Sequence, residues 1–288
     1  MANSTAFPVP FILSVGVPKG GDHKTWTAFN LASQLGLWGY DVVAIDTNAQ
    51  HDLFSDWQDL AQSGLWPRFD VIVHDPFDDH DDQAPVLDLS DQRHRQFIVY
   101  DTSQFLQLRT TRWAWVNCHA LIFPVSPRMA QLGNYLTGIQ LYQALPGDRG
   151  PIIVLPCSAR VLRNSSVQRR FEDVLRHLRD LGCLVPETVD GEIYTQGRMI
   201  PENEIMALQT NRWIYSESAF GGKTKALSDD FIEIVQMNLT WIRAQLEAIY
   251  GWFPDPKHKP LGLRDRKAMQ AALRAEYAAR FGGQQAVA

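Results

Sequence analysis

Residues 11–48 constrain this chain more than any other stretch. They read FILSV, then GVPKGGDHKT, then WTAFNLASQLGLWGY, then DVVAIDTN. The first and last are short apolar runs of strand character. Between them, Ala28, Leu31, Ala32 and Leu35 lie at helical spacing. A helix is expected from the loop to about Leu37, with Gly39 as its stop. In a loop between a strand and a helix, backbone N–H groups and the helix N-terminus form a setting for phosphate. Lys24 adds a positive charge for β- and γ-phosphates, and the Thr25 hydroxyl is a candidate magnesium ligand. The bland alternative is a strand–helix connection that binds nothing.

Further along, strands are expected at 42–46, 69–74, 97–101, 119–125 and 152–155, with a last strand and turn at 184–193. Helices are expected at 51–63, from Pro127 to about Tyr142, and at 165–181, 229–250 and 264–281. The 165–181 segment carries the cleanest apolar stripe, with Asn164 or Ser165 as its cap and Gly182 as its end. Residues 201–224 read as irregular. The alternation implies an α/β fold: a mostly parallel twisted sheet with helices on both faces. Residues 1–252 are expected to form one nucleotide-binding domain. Residues 253–288 are expected to form a Pro-containing linker followed by a basic C-terminal helix and tail.

Composition narrows the class. Apolar residues make up 45% and charged residues 20% of 288, as in soluble globular proteins. No apolar run reaches the ~20 residues of a membrane span, and the N-terminus lacks the basic region of a secretory signal. Cys118, Cys157 and Cys183 have no metal-ligand spacing and point to a reducing, cytoplasmic setting. The net charge of −5 is concentrated: residues 70–91 hold eight aspartates and no Lys or Arg. The acidity therefore does not exclude a basic surface elsewhere. His74 and His80 among these aspartates match no calcium-loop spacing, so the run reads as a solvated loop.

Lys19-Gly20-Gly21-Asp22-His23-Lys24-Thr25 departs from G-x-x-x-x-G-K-[ST], with a second lysine five residues ahead of the first. It resembles the deviant Walker A of the ParA/MinD family of P-loop ATPases. Three later segments extend the resemblance over roughly residues 10 to 250. Asp46-Thr47-Asn48-Ala49-Gln50 resembles the family's D-x-D-P-Q. Phe97–Asp101 resembles its Walker B strand, and Ala120–Pro127 resembles its A-D-x-x-I-P-V-x-P run. The resemblance implies a P-loop NTPase fold and a sandwich homodimer. It implies ATP or ADP bound by Gly20, Gly21, Asp22, His23, Lys24, Thr25, Trp26 and Pro156, with Mg2+ held by Thr25, Asp46 and Asp101. Lys19 would reach the partner's nucleotide, and Lys24 and Asn48 would complete the reacting centre.

The departures are as informative. His23 stands where the family has glycine, and Trp26 where it has Thr or Ser. Asn48 replaces the second aspartate, which orients or deprotonates the attacking water. An amide orients water but is no base at neutral pH. Positioning and charge neutralisation carry most of phosphoryl transfer, so nucleotide binding with slow or absent hydrolysis is expected. Drift within a working ATPase is the alternative. Phe220–Thr224 (FGGKT) copies half a P-loop, but no strand precedes it, so it is set aside.

Two basic regions are candidate contact surfaces. ParA-like proteins bind DNA nonspecifically through the C-terminal part of the ATPase domain, which places Arg160, Arg163, Arg169, Arg170, Arg176 and Arg179 as candidates. An ordinary solvated helix face is the alternative. The helix at 264–281 offers only Met269, Leu273, Tyr277 and Phe281 as an apolar side. That is thin for membrane attachment, so docking on the protein itself or on a partner is expected. Two functions follow. One is a nucleotide-dependent dimer that positions or partitions a cargo with an activating or adaptor protein. The other is a pseudo-ATPase adaptor that keeps the fold without turnover. A metabolic P-loop enzyme is a third, with no substrate nucleophile in view.

Overall fold

A computed structural model describes residues 10–17, 23–74, 89–104, 108–126, 132–157, 165–187, 229–251, 253–261 and 266–282. The strands are β1 (Phe11–Val15), β2 (Val42–Asp46), β3 (Asp70–Val73), β4 (Phe97–Asp101), β5 (Ala120–Val125) and β6 (Ile152–Pro156). The helices are α1 (Lys24–Leu37), α2 (Asp52–Gln62), α3 (Arg109–Val116), α4 (Leu132–Ala144), α5 (Ser165–Asp180), α6 (Asp229–Tyr250) and α7 (Arg266–Phe281). All pairings are parallel, in the order β3-β2-β4-β1-β5-β6.

Both faces of the sheet are covered, as expected of parallel strands rich in Val, Ile and Leu. Alternate residues go to opposite faces. Phe11, Leu13, Val15, Val42, Ala44, Phe97 and Val99 pack in one cluster with Phe29 and Leu35 of α1, Leu53 of α2, Leu239 of α6 and Leu273 of α7. Leu121, Phe123, Ile152 and Val154 face the other way, under Tyr135 and Ile139 of α4 and Phe171 and Leu175 of α5. Val43, Ile45, Ile98 and Tyr100 share that second face with Ala114 of α3.

Helix ends follow the glycine rule. After α1, Gly39 (φ 94) lets its own N–H reach Gly36 C=O at 2.9 Å and the Tyr40 N–H reach Leu35 C=O at 3.2 Å. Gly182 (φ 85) ends α5 in the same way. Cys118, Cys157 and Cys183 are buried free thiols. Burial raises the Cys118 pKa to about 11, so it stays protonated at neutral pH.

Two expectations need correction. Helix α3 has no counterpart in the sequence reading: RTTRWAWV is short and half polar, and Thr110 and Thr111 are buried in it. In place of the expected last strand at 184–193, the described residues show isolated bridge positions at Leu184, paired with Ile153, and at Glu187. Residues 188–193, the irregular 201–224 and the FGGKT decoy lie outside them.

One strand junction is pH-sensitive. The Ile12 N–H donates to His119 Nδ1 at 2.8 Å, and the His119 N–H donates to Ile12 C=O at 2.8 Å. The imidazole stands in for a strand carbonyl, so it must be neutral at Nδ1. Burial lowers its pKa. Its contribution to stability is thus complete above the unfolded pKa of about 6.5 and is lost as pH falls toward the lower folded value. Stability measured from pH 7.5 down to 5.5 is expected to fall more steeply for wild type than for His119→Gln, by up to ~1.4 kcal/mol per pH unit. Equal slopes would remove His119 as the cause.

Candidate functional site

Strand parity brings the acidic groups together. Asp46 continues the Val42–Ala44 face of β2, and Asp101 continues the Phe97–Val99 face of β4, both on the α1 side. They are register partners on adjacent strands, and Val15 lies opposite Asp101 on β1. The chain leaves β1 at this point and enters α1 at Lys24. Both carboxylates and the start of α1 therefore belong to the carboxyl edge of the sheet, where parallel α/β sheets bind ligands.

Two threonines that the sequence reading passed over extend this edge. Thr47 Oγ1 donates to Asp101 C=O at 2.9 Å, and its N–H donates to the same oxygen at 3.0 Å. Thr102 Oγ1 donates to Val15 C=O at 2.8 Å, and its N–H donates there at 3.2 Å. Both are fully buried. Each hydroxyl bond contributes on the order of 1 kcal/mol and holds neighbouring strands together one residue past their ends. The readable signal was the repeated dipeptide: Asp46-Thr47 and Asp101-Thr102.

Asp46 has a structural task beside its expected magnesium role. It is fully buried. Its Oδ1 accepts the Asn48 N–H and its Oδ2 accepts the Phe54 N–H, each at 3.0 Å. Phe54 is in the first turn of α2, so Asp46 caps that helix from the end of β2. Burial raises its pKa, while these two N–H donors and His51 pull it back. Each carboxylate oxygen keeps a further lone pair. Magnesium commonly uses one or two carboxylates and several waters, so the Asp46–Asp101 pair fits it. No group of three His, Cys, Asp or Glu suited to a metal exists among the described residues.

At the start of α1, His23 is the N-cap in the left-handed region (φ 58, ψ 21) and makes no side-chain cap bond. Glycine enters that region most easily, so the backbone here is one a glycine would adopt, kept with a histidine in place. The first bond of the helix runs from the Thr27 N–H to His23 C=O at 2.8 Å. The N–H groups of Lys24, Thr25 and Trp26 precede it and stand outside the helix ladder, the donor set that phosphate sites use. Lys24 is buried and Thr25 half-buried. Trp26 is 5% exposed and belongs to the main core cluster. It is a packing residue, and what it can offer a phosphate is its backbone N–H.

Asn48 is half-buried just beyond Asp46, followed by exposed Ala49 and Gln50. Pro156 ends β6 opposite Val125 of β5, so β1 and β5 lie between it and Asp101. Lys19, Gly20, Gly21, Asp22, Arg160 and Arg163 lie outside the described residues. On α5, Arg169 and Arg170 are exposed. Arg176 pairs with Asp173 and Glu172, and Arg179 with Glu187 and Asp180. That face is a mixed-charge surface rather than a uniformly basic one. No helix among the described residues is long and apolar enough to cross a membrane.

No protein-family profile matches the chain. No curated protein matches it by sequence. Solved structures do match. Cobyrinic acid a,c-diamide synthase from Mycobacterium smegmatis, with bound ATP analog and magnesium, is 14% identical with a TM-score of 0.55. That match covers 88% of this chain and 100% of the synthase. Cyanthece McdA matches at 16% identity and TM-score 0.49, over 70% of this chain and 90% of its own. The ParA of pNOB8 matches at 14% and 0.49, over 96% and 99%. At such identities the likeness is one of fold.

Proposed function

With the ParA/MinD-like P-loop ATPase fold as premise, we propose that this chain is a magnesium- and ATP-dependent switch that dimerises to position or partition a cargo. The observation that carries the reading is the meeting of Asp46, Asp101 and the α1 N-terminus at one edge of the sheet. ATP supplies the phosphoanhydride bond. The Lys24 ammonium and the first N–H groups of α1 bind its phosphate charge, with Lys19 reaching the partner's nucleotide. Thr25, Asp46 and Asp101 hold magnesium, directly or through water. Because Asp46 also caps α2, the ion and that helix share one carboxylate, which links the pocket to a surface helix. The closed dimer presents the α5 face to DNA or to an adaptor protein.

The test is calorimetry of magnesium-ATP binding to the full chain, with oligomeric state followed in parallel. Binding accompanied by a monomer-to-dimer shift is expected. A wild type that binds no nucleotide would sink the switch.

Asn48 favours a second reading, an adaptor that binds nucleotide without turnover. Its amide orients water but accepts no proton from it. Asn48→Asp is expected to raise ATP turnover by at least about tenfold, since a positioned base contributes ~100-fold or more in favourable cases. If neither protein turns over ATP with DNA or partner proteins present, the adaptor reading stands instead.

A further inference from the structure

A second concavity lies at the amino edge of the sheet, remote from Asp46 and Asp101. It is a cleft of about 660 Å³ between the starts of β2 and β4, the 253–261 segment and α7. Its walls are fastened by directed contacts. The His258 N–H donates to Gly39 C=O at 2.8 Å and the Leu261 N–H to Leu37 C=O at 2.9 Å. Gln96 Nε2 donates to Asp255 C=O at 2.8 Å. Arg68 is paired with Glu276 of α7 and donates to Lys259 C=O at 2.9 Å.

The charges in this cleft do not balance. Arg68, Arg95, Lys257, Lys259 and Arg280 all line it. Asp41 accepts from both Arg95 and Lys257. Asp70 accepts from both Arg95 and Arg280. Glu276 serves Arg68. Five cations thus share three carboxylates, and Lys259, which is exposed, forms no ion pair among the described residues. The side chains of Arg68 and Arg95 are only 7% and 17% exposed, so part of this charge faces the cleft from poorly solvated walls, where its field is strongest. Trp66 and Tyr40 add an aromatic wall, with the Arg280 guanidinium 4.3 Å over the Trp66 ring. A volume of this size is typical of small-molecule sites.

We infer that this cleft binds a small organic phosphate. The surplus of cations, reduced but not removed by the exposed Asp255 carboxylate near Tyr40, matches a phosphate group, and the aromatic wall matches a compact organic body. Lys259 is the cation with the least to give up on binding, since no carboxylate among the described residues holds it. The site is independent of the nucleotide reading.

Ribose 5-phosphate is the probe, with ribose as the uncharged control. Each is titrated by calorimetry into wild type, Lys24→Ala and Lys259→Glu. The phosphate is expected to bind wild type and Lys24→Ala alike, and Lys259→Glu about tenfold or more weakly, with ribose silent. Lys259→Arg should restore binding, and an unchanged melting temperature of the free variants excludes a folding defect. The proposal is overturned if ribose 5-phosphate does not bind, if Lys259→Glu binds it as wild type does, or if Lys24→Ala abolishes it. The last outcome would assign the phosphate to the α1 edge. Failure of magnesium-ATP binding alone would leave this cleft untouched.

Discussion

Lys24→Ala is expected to weaken magnesium-ATP binding by roughly 30-fold to several thousand-fold, because removing one partner of a desolvated charge pair costs about 2–5 kcal/mol. Lys24 opens α1 and is 8% exposed, so its ammonium acts in a poorly solvated place where each charge counts for more. The helix N-terminus adds its own partial positive charge there. The scaffold is expected to survive, because Phe29, Leu31 and Leu35 still anchor α1 in the core. Circular dichroism of the variant checks this, and calorimetry gives the affinity. Wild-type affinity in Lys24→Ala would remove the α1 edge as the nucleotide site.

Gly36→Ala is expected to destabilise the fold by about 3 kcal/mol, the upper part of the usual range for overpacking, and to lower the melting temperature by roughly 6–12 °C. Helix propensity alone predicts the opposite sign, a gain of up to ~1 kcal/mol for alanine over glycine. Packing decides against propensity. A Cβ at Gly36 would lie 2.2 Å from the Arg68 carbonyl oxygen and 2.9 Å from its carbon. Those are backbone atoms and cannot swing aside. Arg68 itself has φ 63, and its side chain is tied to Glu276 and Lys259 C=O. Making room at Gly36 would thus disturb the contact between α1, the approach to β3 and α7 together. Thermal and denaturant unfolding of Gly36→Ala measure it. A stabilised variant would mean that α1 and the Arg68 segment do not approach this closely.

The elements that frame the candidate site were readable because their signals are local. Strand β1, helix α1, the aspartates ending β2 and β4, and the glycine stops at 39 and 182 rest on short-range periodicity and φ preference, and the fold agrees with them. Helix α3 was not readable, because it is short and buries Thr110 and Thr111 beside Ala114 and Trp115, so no apolar stripe marks its inner face. The capping role of Asp46 was hidden for a related reason. Phe54 comes within reach of the carboxylate only once the chain turns at His51, another left-handed residue (φ 49).

The sequence by itself determined most of the elements, their alternation and the residue types available at the ends of the strands. Hydrophobic period and turn chemistry act over a few residues and need no partner. Only the tertiary structure decided that β4 inserts between β2 and β1, which sets Asp46 beside Asp101 and both beside the entry to α1. It also decided that Trp26 packs inward, and that the 253–261 segment and α7 fold back to enclose a basic cleft at the opposite edge. These are non-local pairings. They are selected by which faces can be buried together, and no single stretch of chain carries that information.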